Sequence, residues 1–207
     1  MYSRTYDILS YKQHLFIIAR AELPKPEISS SAGILMDAKS GKVLYEKNSR
    51  QRYAPASITK IMTALLVAEK ANMSDMVTYS ESATTNLESG AVTAGVTAGD
   101  IISVNDSMYA LMLKSANEVA NGLAEHVAGS ISSFAAMMTA RAKEIGATDT
   151  NFANPSGLND DKQYTSAYDM ALIAKTAFAH ETVLKVSSTK AYTFPATKQN
   201  KGPVSFT

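Results

Sequence analysis

No cysteine occurs among the 207 residues, which excludes disulfides, thiolate metal sites and a cysteine nucleophile without fixing a compartment. Histidine is nearly as scarce. His14, His126 and His180 stand far apart in the chain, so neither a histidine zinc site nor a Ser-His-Asp triad assembles from them. A hydrolase built on this sequence needs another base. Charge of one sign is lacking too: twenty Lys and Arg against nineteen Asp and Glu leave a formal net charge of +1, too weak a field to gather a nucleic acid. No run approaches the ~20 apolar residues of a membrane span. Near the N-terminus, Leu15-Phe16-Ile17-Ile18 followed by Ala19-Arg20-Ala21 is about half the apolar stretch of a secretory signal.

What is present is ordinary globular composition, 45% hydrophobic and 19% charged, in a chain long enough for one sizeable domain. Residues 1–30 read as a leader, a defective or truncated signal, passing into a linker marked by Pro24, Pro26 and a run of serines. A hairpin follows: Ala32-Gly33-Ile34-Leu35-Met36 and Lys42-Val43-Leu44-Tyr45 are strand-like around the turn chemistry of Asp37-Ala38-Lys39-Ser40-Gly41. A helix starts near Pro55-Ala56-Ser57 and runs through 61–68, apolar nearly all the way round, which predicts a buried helix. Short strands and loops are expected over 77–103. Helices are expected from a cap at Asn105-Asp106-Ser107 to Leu113, over 118–127, over 132–145 with a stop at Gly146, and over 166–179. The stretch 148–163 reads as a loop, and the tail alternates weakly as two short strands. Met108, Met112, Met137 and Met138 read as core filler, His126 as a charge near a helix C-terminus, and Tyr109 and Tyr168 as packing residues.

The chemistry concentrates at Ser57-Ile58-Thr59-Lys60. Three residues apart at a helix start, the hydroxyl and the amine share one face. The serine sits at the positive end of the helix dipole, and a lysine one turn into a buried helix is pushed toward the neutral, basic form. Ser-x-x-Lys arises by chance roughly once in a chain of this length, and alone it reads as a cap with an exposed lysine. Its place before an all-round apolar helix raises it above that. Ser115-Ala116-Asn117, 58 residues after Ser57, can aim a hydroxyl and an amide into a cleft, although alone it reads as a capped helix-to-helix turn.

Together these residues resemble the low-molecular-mass penicillin-binding proteins, the serine-type D-alanyl-D-alanine carboxypeptidases, whose fold is shared with class A β-lactamases. The likeness covers roughly residues 30–207: the hairpin, 54–63 around the nucleophile, 111–117 around Ser115, Asn151-Phe152-Ala153-Asn154-Pro155-Ser156-Gly157-Leu158, and Tyr164-Thr165-Ser166-Ala167-Tyr168-Asp169-Met170-Ala171. It implies an α/β (α+β) fold, with a helical subdomain packed on an antiparallel sheet. It also implies Ser57 as acylated nucleophile, Lys60 as general base, Ser115 as proton shuttle to the leaving D-alanine, and Asn117 as holder of Lys60 and the substrate amide. The implied partners are a peptidoglycan stem peptide ending in D-Ala-D-Ala and β-lactams as covalent inhibitors. No metal or cofactor is implied, and the compartment that the resemblance implies is extracytoplasmic, the cell envelope or secreted.

The family's third motif, Lys-Thr/Ser-Gly, has no counterpart here, since Lys201-Gly202-Pro203 lacks the hydroxyl residue. Residues 31–207 are therefore expected to be the N-terminal part of the domain, with the sheet incomplete, an unpaired edge that opens a route to self-association, and poor peptide turnover by this chain alone. Where many relatives carry a His before the Tyr-Thr-Ser stretch, this chain has Lys162-Gln163. Two other readings remain open. A β-lactamase of the same fold needs a deacylating Glu, and 154–163 holds Asp160 and Asp161 but no Glu. An inert truncated fragment or binding domain has no need of all four polar residues.

Overall fold

The computed structural model describes residues 26–85 and 87–206. The leader reading, with His14 and the apolar run at 15–18, falls outside the described residues. The unit Ser31–Thr207 opens with the expected hairpin, in which β1 (Gly33–Met36) pairs antiparallel with β2 (Val43–Lys47). The short β3 (Arg52–Tyr53) pairs with β6 (Thr165–Ser166). Farther on, β4 (Met76–Thr78) pairs with β5 (Ile101–Ser103), and β7 (Tyr192–Phe194) with β8 (Val204–Phe206). Among the described residues the strands thus form four separate two-stranded antiparallel ladders.

The helices occupy the middle. After a tight 3-10 turn at Ala56–Ile58 comes α1 (Thr59–Lys70). Met62, Ala64, Leu65, Leu66 and Val67 are each at most 1% exposed, as an apolar surface on every side of a helix requires. Around α1 pack α4 (Asn117–Ala128), α5 (Ile131–Ile145), α6 (Ala167–Ala179) and α7 (Glu181–Ser187). Leu123, Phe134, Met138 and Ile173 complete this core without exposure. A helix running through the centre is rigid because every face is in contact. That rigidity passes to whatever is mounted on its first turn.

Serines cap two of these helices. Ser130 and Ser166 accept the backbone N–H of Ser133 and Asp169, and α4 and α5 end at Gly129 and Gly146 as expected. The cap of α3 (Val104–Tyr109) is Ser103, not the 105–107 cluster. Ser103 and Asp106 satisfy one another reciprocally, the hydroxyl accepting from the Asp106 N–H and donating to its carboxylate. Two helices carry no period long enough to read from sequence: α2 (Glu81–Thr84), a single turn, and α7, which follows α6 after His180 alone.

The expected uniform helix to Leu113 is also modified. Beyond Tyr109 the chain widens into a π-helical turn at Ala110–Lys114 and ends at Ser115 in the left-handed conformation, φ 59°. Of the residues read as bland, Met108 and Met138 are fully buried, and Tyr109 stacks on Tyr192 at 3.7 Å between ring centroids. His126 lies in the last turn of α4, 3.8 Å from Asp75.

Candidate active site

Ser57 sits exposed in the 3-10 turn that precedes α1, and Lys60 sits beneath it at 3% exposure. The turn is strained. Among the described residues, three non-glycine positions have positive φ, Asn48, Ala56 and Ser115. Asparagine tolerates that region; the other two precede the nucleophile candidate and terminate the π turn. Such strain costs on the order of 1–3 kcal/mol per residue and persists only where the surroundings over-determine it.

Those surroundings are visible at Gly157. Its φ is +88°, and a Cβ built there would stand 1.9 Å from the carbonyl oxygen of Ala56 and 3.1 Å from the nitrogen of Ser57. Only glycine lets the loop 154–163 press on the backbone of the Ser57 turn. That loop is tied to α1 at two points one turn apart: Thr63 Oγ1 donates to Pro155 O (2.7 Å), and Lys60 Nζ donates to Ser156 O (2.6 Å). Its shape comes from its own amides. Asn154 Oδ1 accepts the backbone N–H groups of Ser156 and Gly157, and the buried Gln163 accepts those of Ala153 and Asn154 while donating to Leu158 O.

Lys60 makes three contacts: Ser156 O at 2.6 Å, Asn117 Oδ1 at 2.9 Å and Ser57 Oγ at 3.3 Å. The first two partners can only accept. Ser156 offers a carbonyl, and Asn117 is fixed oxygen-inward because its Nδ2 donates to Val92 O at 3.0 Å. A neutral amine has two N–H bonds, and both are claimed. In that neutral form the lone pair can face Ser57 Oγ, the one contact that carries a proton, whereas the ammonium donates to all three partners. Burial also favours the neutral form: desolvation pulls the Lys60 ammonium down from 10.5 to about 8, against the opposing field of Glu118. A lysine whose ammonium is disfavoured, facing a hydroxyl at the start of a helix, is an arrangement able to activate a serine.

Of the four residues singled out from sequence, Ser57, Lys60 and Asn117 form one hydrogen-bonded cluster. Ser115 lies two residues before Asn117, half-buried, and its hydroxyl has no hydrogen-bond partner among the described residues. Sequence reasoning missed Glu118, which is 1% exposed and accepts the backbone N–H groups of Ala94 (2.6 Å) and Val96 (3.3 Å). It also missed the bracing role of Gln163. Glu118 carried no distinguishing signal, since an acidic residue beside Asn117 in a first helical turn is an ordinary complement to the helix dipole.

A family model described as D-alanyl-D-alanine carboxypeptidase, peptidase S11, matches residues 19–204. The carboxypeptidase DacF of Bacillus subtilis is 38% identical over 165 residues, 77% of this chain and 42% of that protein. DacC of Escherichia coli is 36% identical over 191 residues, 87% of this chain and 48% of its own length. The chain thus spans about half the length of the curated relatives it matches. Among solved structures, the carboxypeptidase DacD of Francisella tularensis aligns with a TM-score of 0.78 at 35% identity, covering 87% of this chain and 44% of that one. Because the family pattern runs through almost the whole chain and solved relatives share its architecture at this level of identity, the chain belongs to the D-alanyl-D-alanine carboxypeptidase family.

Proposed function

We propose that residues 31–207 carry the acylating centre of a serine carboxypeptidase of cell-wall maturation, which removes the terminal D-alanine from stem peptides ending in D-Ala-D-Ala. The observation that carries this reading is the hydrogen-bonding economy of Lys60. With Asn117 Oδ1 and Ser156 O as fixed acceptors, the amine's free electron pair has Ser57 as its proton-bearing partner.

Ser57 Oγ attacks the carbonyl carbon of the penultimate residue as Lys60 Nζ takes the hydroxyl proton. The tetrahedral oxyanion is met by the Ser57 N–H, which lies in a first helical turn where such groups lack an intrahelical partner. Collapse breaks the amide bond. The leaving D-alanine nitrogen receives its proton through Ser115, whose hydroxyl is uncommitted and so available as a relay. Water then attacks the acyl-enzyme, Lys60 again accepting the proton, and releases the shortened peptide. A penicillin opens its lactam ring on Ser57 by the same first step and stalls there.

The β-lactamase alternative gains nothing from the loop 154–163, whose carboxylates Asp160 and Asp161 are both exposed, Asp160 being engaged with the Lys162 N–H. The site of action is the cell envelope, where the substrate lies; no described helix is long and apolar enough to cross a membrane. Incubation with a fluorescent penicillin, followed by intact-mass measurement, tests the proposal. One covalent adduct is expected, absent in Ser57→Ala. A chain that takes up no adduct, or one whose Ser57→Ala variant is still labelled, overturns it.

A further inference from the structure

Glu118 is a buried carboxylate that the acylation scheme does not use. It stands in the first turn of α4, directly after Asn117, with 1% exposure. Its Oε1 accepts two backbone N–H groups from one loop, Ala94 at 2.6 Å and Val96 at 3.3 Å. Its Oε2 is buried with no hydrogen-bond partner among the described residues. Buried polar atoms are normally satisfied, and an unsatisfied one calls for a reason.

The loop that Glu118 grips is the one that fixes Asn117. Val92 O accepts both the backbone N–H of Asn117 and its side-chain Nδ2, each at 3.0 Å. That grip decides which end of the Asn117 amide faces Lys60. The far side of the loop is held by the segment between β7 and β8, where Thr197 Oγ1 donates to Gly95 O (2.8 Å) and the Lys198 N–H donates to Asp100 Oδ1 (2.9 Å). Two consecutive residues of one helix turn therefore serve one loop, and through it one lysine.

Gripping two N–H groups does not require a charge. A glutamine carbonyl would accept both and leave its amide in place of the orphan oxygen. What a carboxylate adds is a negative charge inside the protein, one residue along from the Asn117 that holds Lys60. We propose that Glu118 is a positioning residue of this site: it pins the loop that orients Asn117 and places a carboxylate directly beside the residue that holds Lys60.

Burial raises the Glu118 carboxyl above its ordinary value, while the backbone N–H groups of Ala94 and Val96 work against that rise and favour its ionised form. Burial drives Lys60 toward the neutral form, and Glu118 is the charge that opposes it. Without that opposition Lys60 would lose its proton more readily but bind the Ser57 proton more weakly, and a base is effective only while strong enough to take it. Another titratable group that feels Glu118 is the phenol of Tyr79, after β4. It is hydrogen-bonded to Ser107 at 2.7 Å and raised by burial, with Glu118, Asp100 and Asp106 adding to the rise.

The inference rests on the Ser57–Lys60 reading, and its test does not depend on turnover. Lysine labelled with 13C at Cε reports the Lys60 titration by NMR, assigned by loss of the signal in Lys60→Arg. In Glu118→Gln the Lys60 midpoint is expected below the wild-type value of about 8, with amide exchange at Ala94 and Val96 still slow. In Glu118→Ala the same downward shift is expected together with fast exchange at those two amides. The wild-type protein alone supplies a second test through 13Cδ-labelled glutamate: the Glu118 carboxyl must be ionised throughout the range in which Lys60 titrates. An unmoved or raised Lys60 midpoint in Glu118→Gln, or a Glu118 carboxyl still protonated in that range, overturns the proposal. Failure of penicillin labelling would instead strike the functional reading and leave this titration intact.

Discussion

Two loops hold the Lys60–Asn117 pair, and they are themselves held in different ways. The loop 154–163 offers Ser156 O to Lys60 and is shaped by neutral amides, those of Asn154 and Gln163. The loop carrying Val92 offers its carbonyl to Asn117 and is gripped by a buried carboxylate, Glu118. Both solve the same problem, placing a backbone carbonyl where a side-chain nitrogen can bind it. Only the second brings a charge near the base. Position and base strength are therefore separable: the neutral brace supplies geometry that does not depend on pH, and the charged brace supplies geometry with an electrostatic bias.

The largest expected effect comes from removing the group on which both loops converge. Lys60→Met should lower the rate of Ser57 acylation by roughly 10²–10⁴-fold, the usual contribution of a general base, read by fluorescent-penicillin labelling over time. Next is the close approach on the neutral side. Gly157→Ala puts a Cβ into the Ala56 carbonyl and should shift the Ser57 turn. A displacement of even ~1 Å at a reacting centre can cost about 10²-fold, so labelling should slow by about that factor while circular dichroism stays unchanged.

Gln163→Leu removes the neutral brace and strands the Ala153 and Asn154 N–H groups. A stability loss of about 1–3 kcal/mol is expected for the exposed backbone need, measured by urea denaturation, with the midpoint of the acylation pH profile unmoved. That last outcome sharpens the contrast with Glu118→Gln, where the midpoint itself should fall. The smallest effect belongs to an exposed side chain that bonds to neither brace: Arg52→Ala breaks the bridge to Asp149 at 2.9 Å and the stacking on Tyr164 and should cost about 1 kcal/mol.

Much of this was legible in the residues. The all-round apolar character of α1 foretold its central burial, and the three-residue spacing of Ser57 and Lys60 foretold their shared face. The hairpin of β1 and β2 followed from strand-like residues on either side of turn chemistry. The braces were not legible, for a physical reason. A backbone carbonyl carries no sequence signature; Ser156 O and Val92 O matter because of where two loops happen to run, and those loops meet residues 96 and 25 positions away. Glu118, in a first helical turn, reads from sequence as an ordinary complement to the helix dipole, and only its neighbours make it a buried charge. Gly157 stood within a stretch that carried the family resemblance, yet the reason for glycine there is a backbone from another part of the chain. The π-helical turn before Ser115 likewise leaves no trace in the apolar period, which continues across it.

A buried lysine also marks the stability profile. Between about 8 and 10.5 the folded chain has released the Lys60 proton that the unfolded chain still holds, so this group's contribution makes the fold more stable as pH rises through that window. A pH series of urea denaturation curves on the wild type and Lys60→Met should differ in slope there.

The most direct test of the central claim, that a neutral Lys60 activates Ser57, is the pH dependence of penicillin acylation at Ser57 under single-turnover conditions. The rate should climb with pH through a single midpoint near 8 and lose that limb in Lys60→Met. A rate that is flat across this range, or a limb that survives in Lys60→Met, would contradict it.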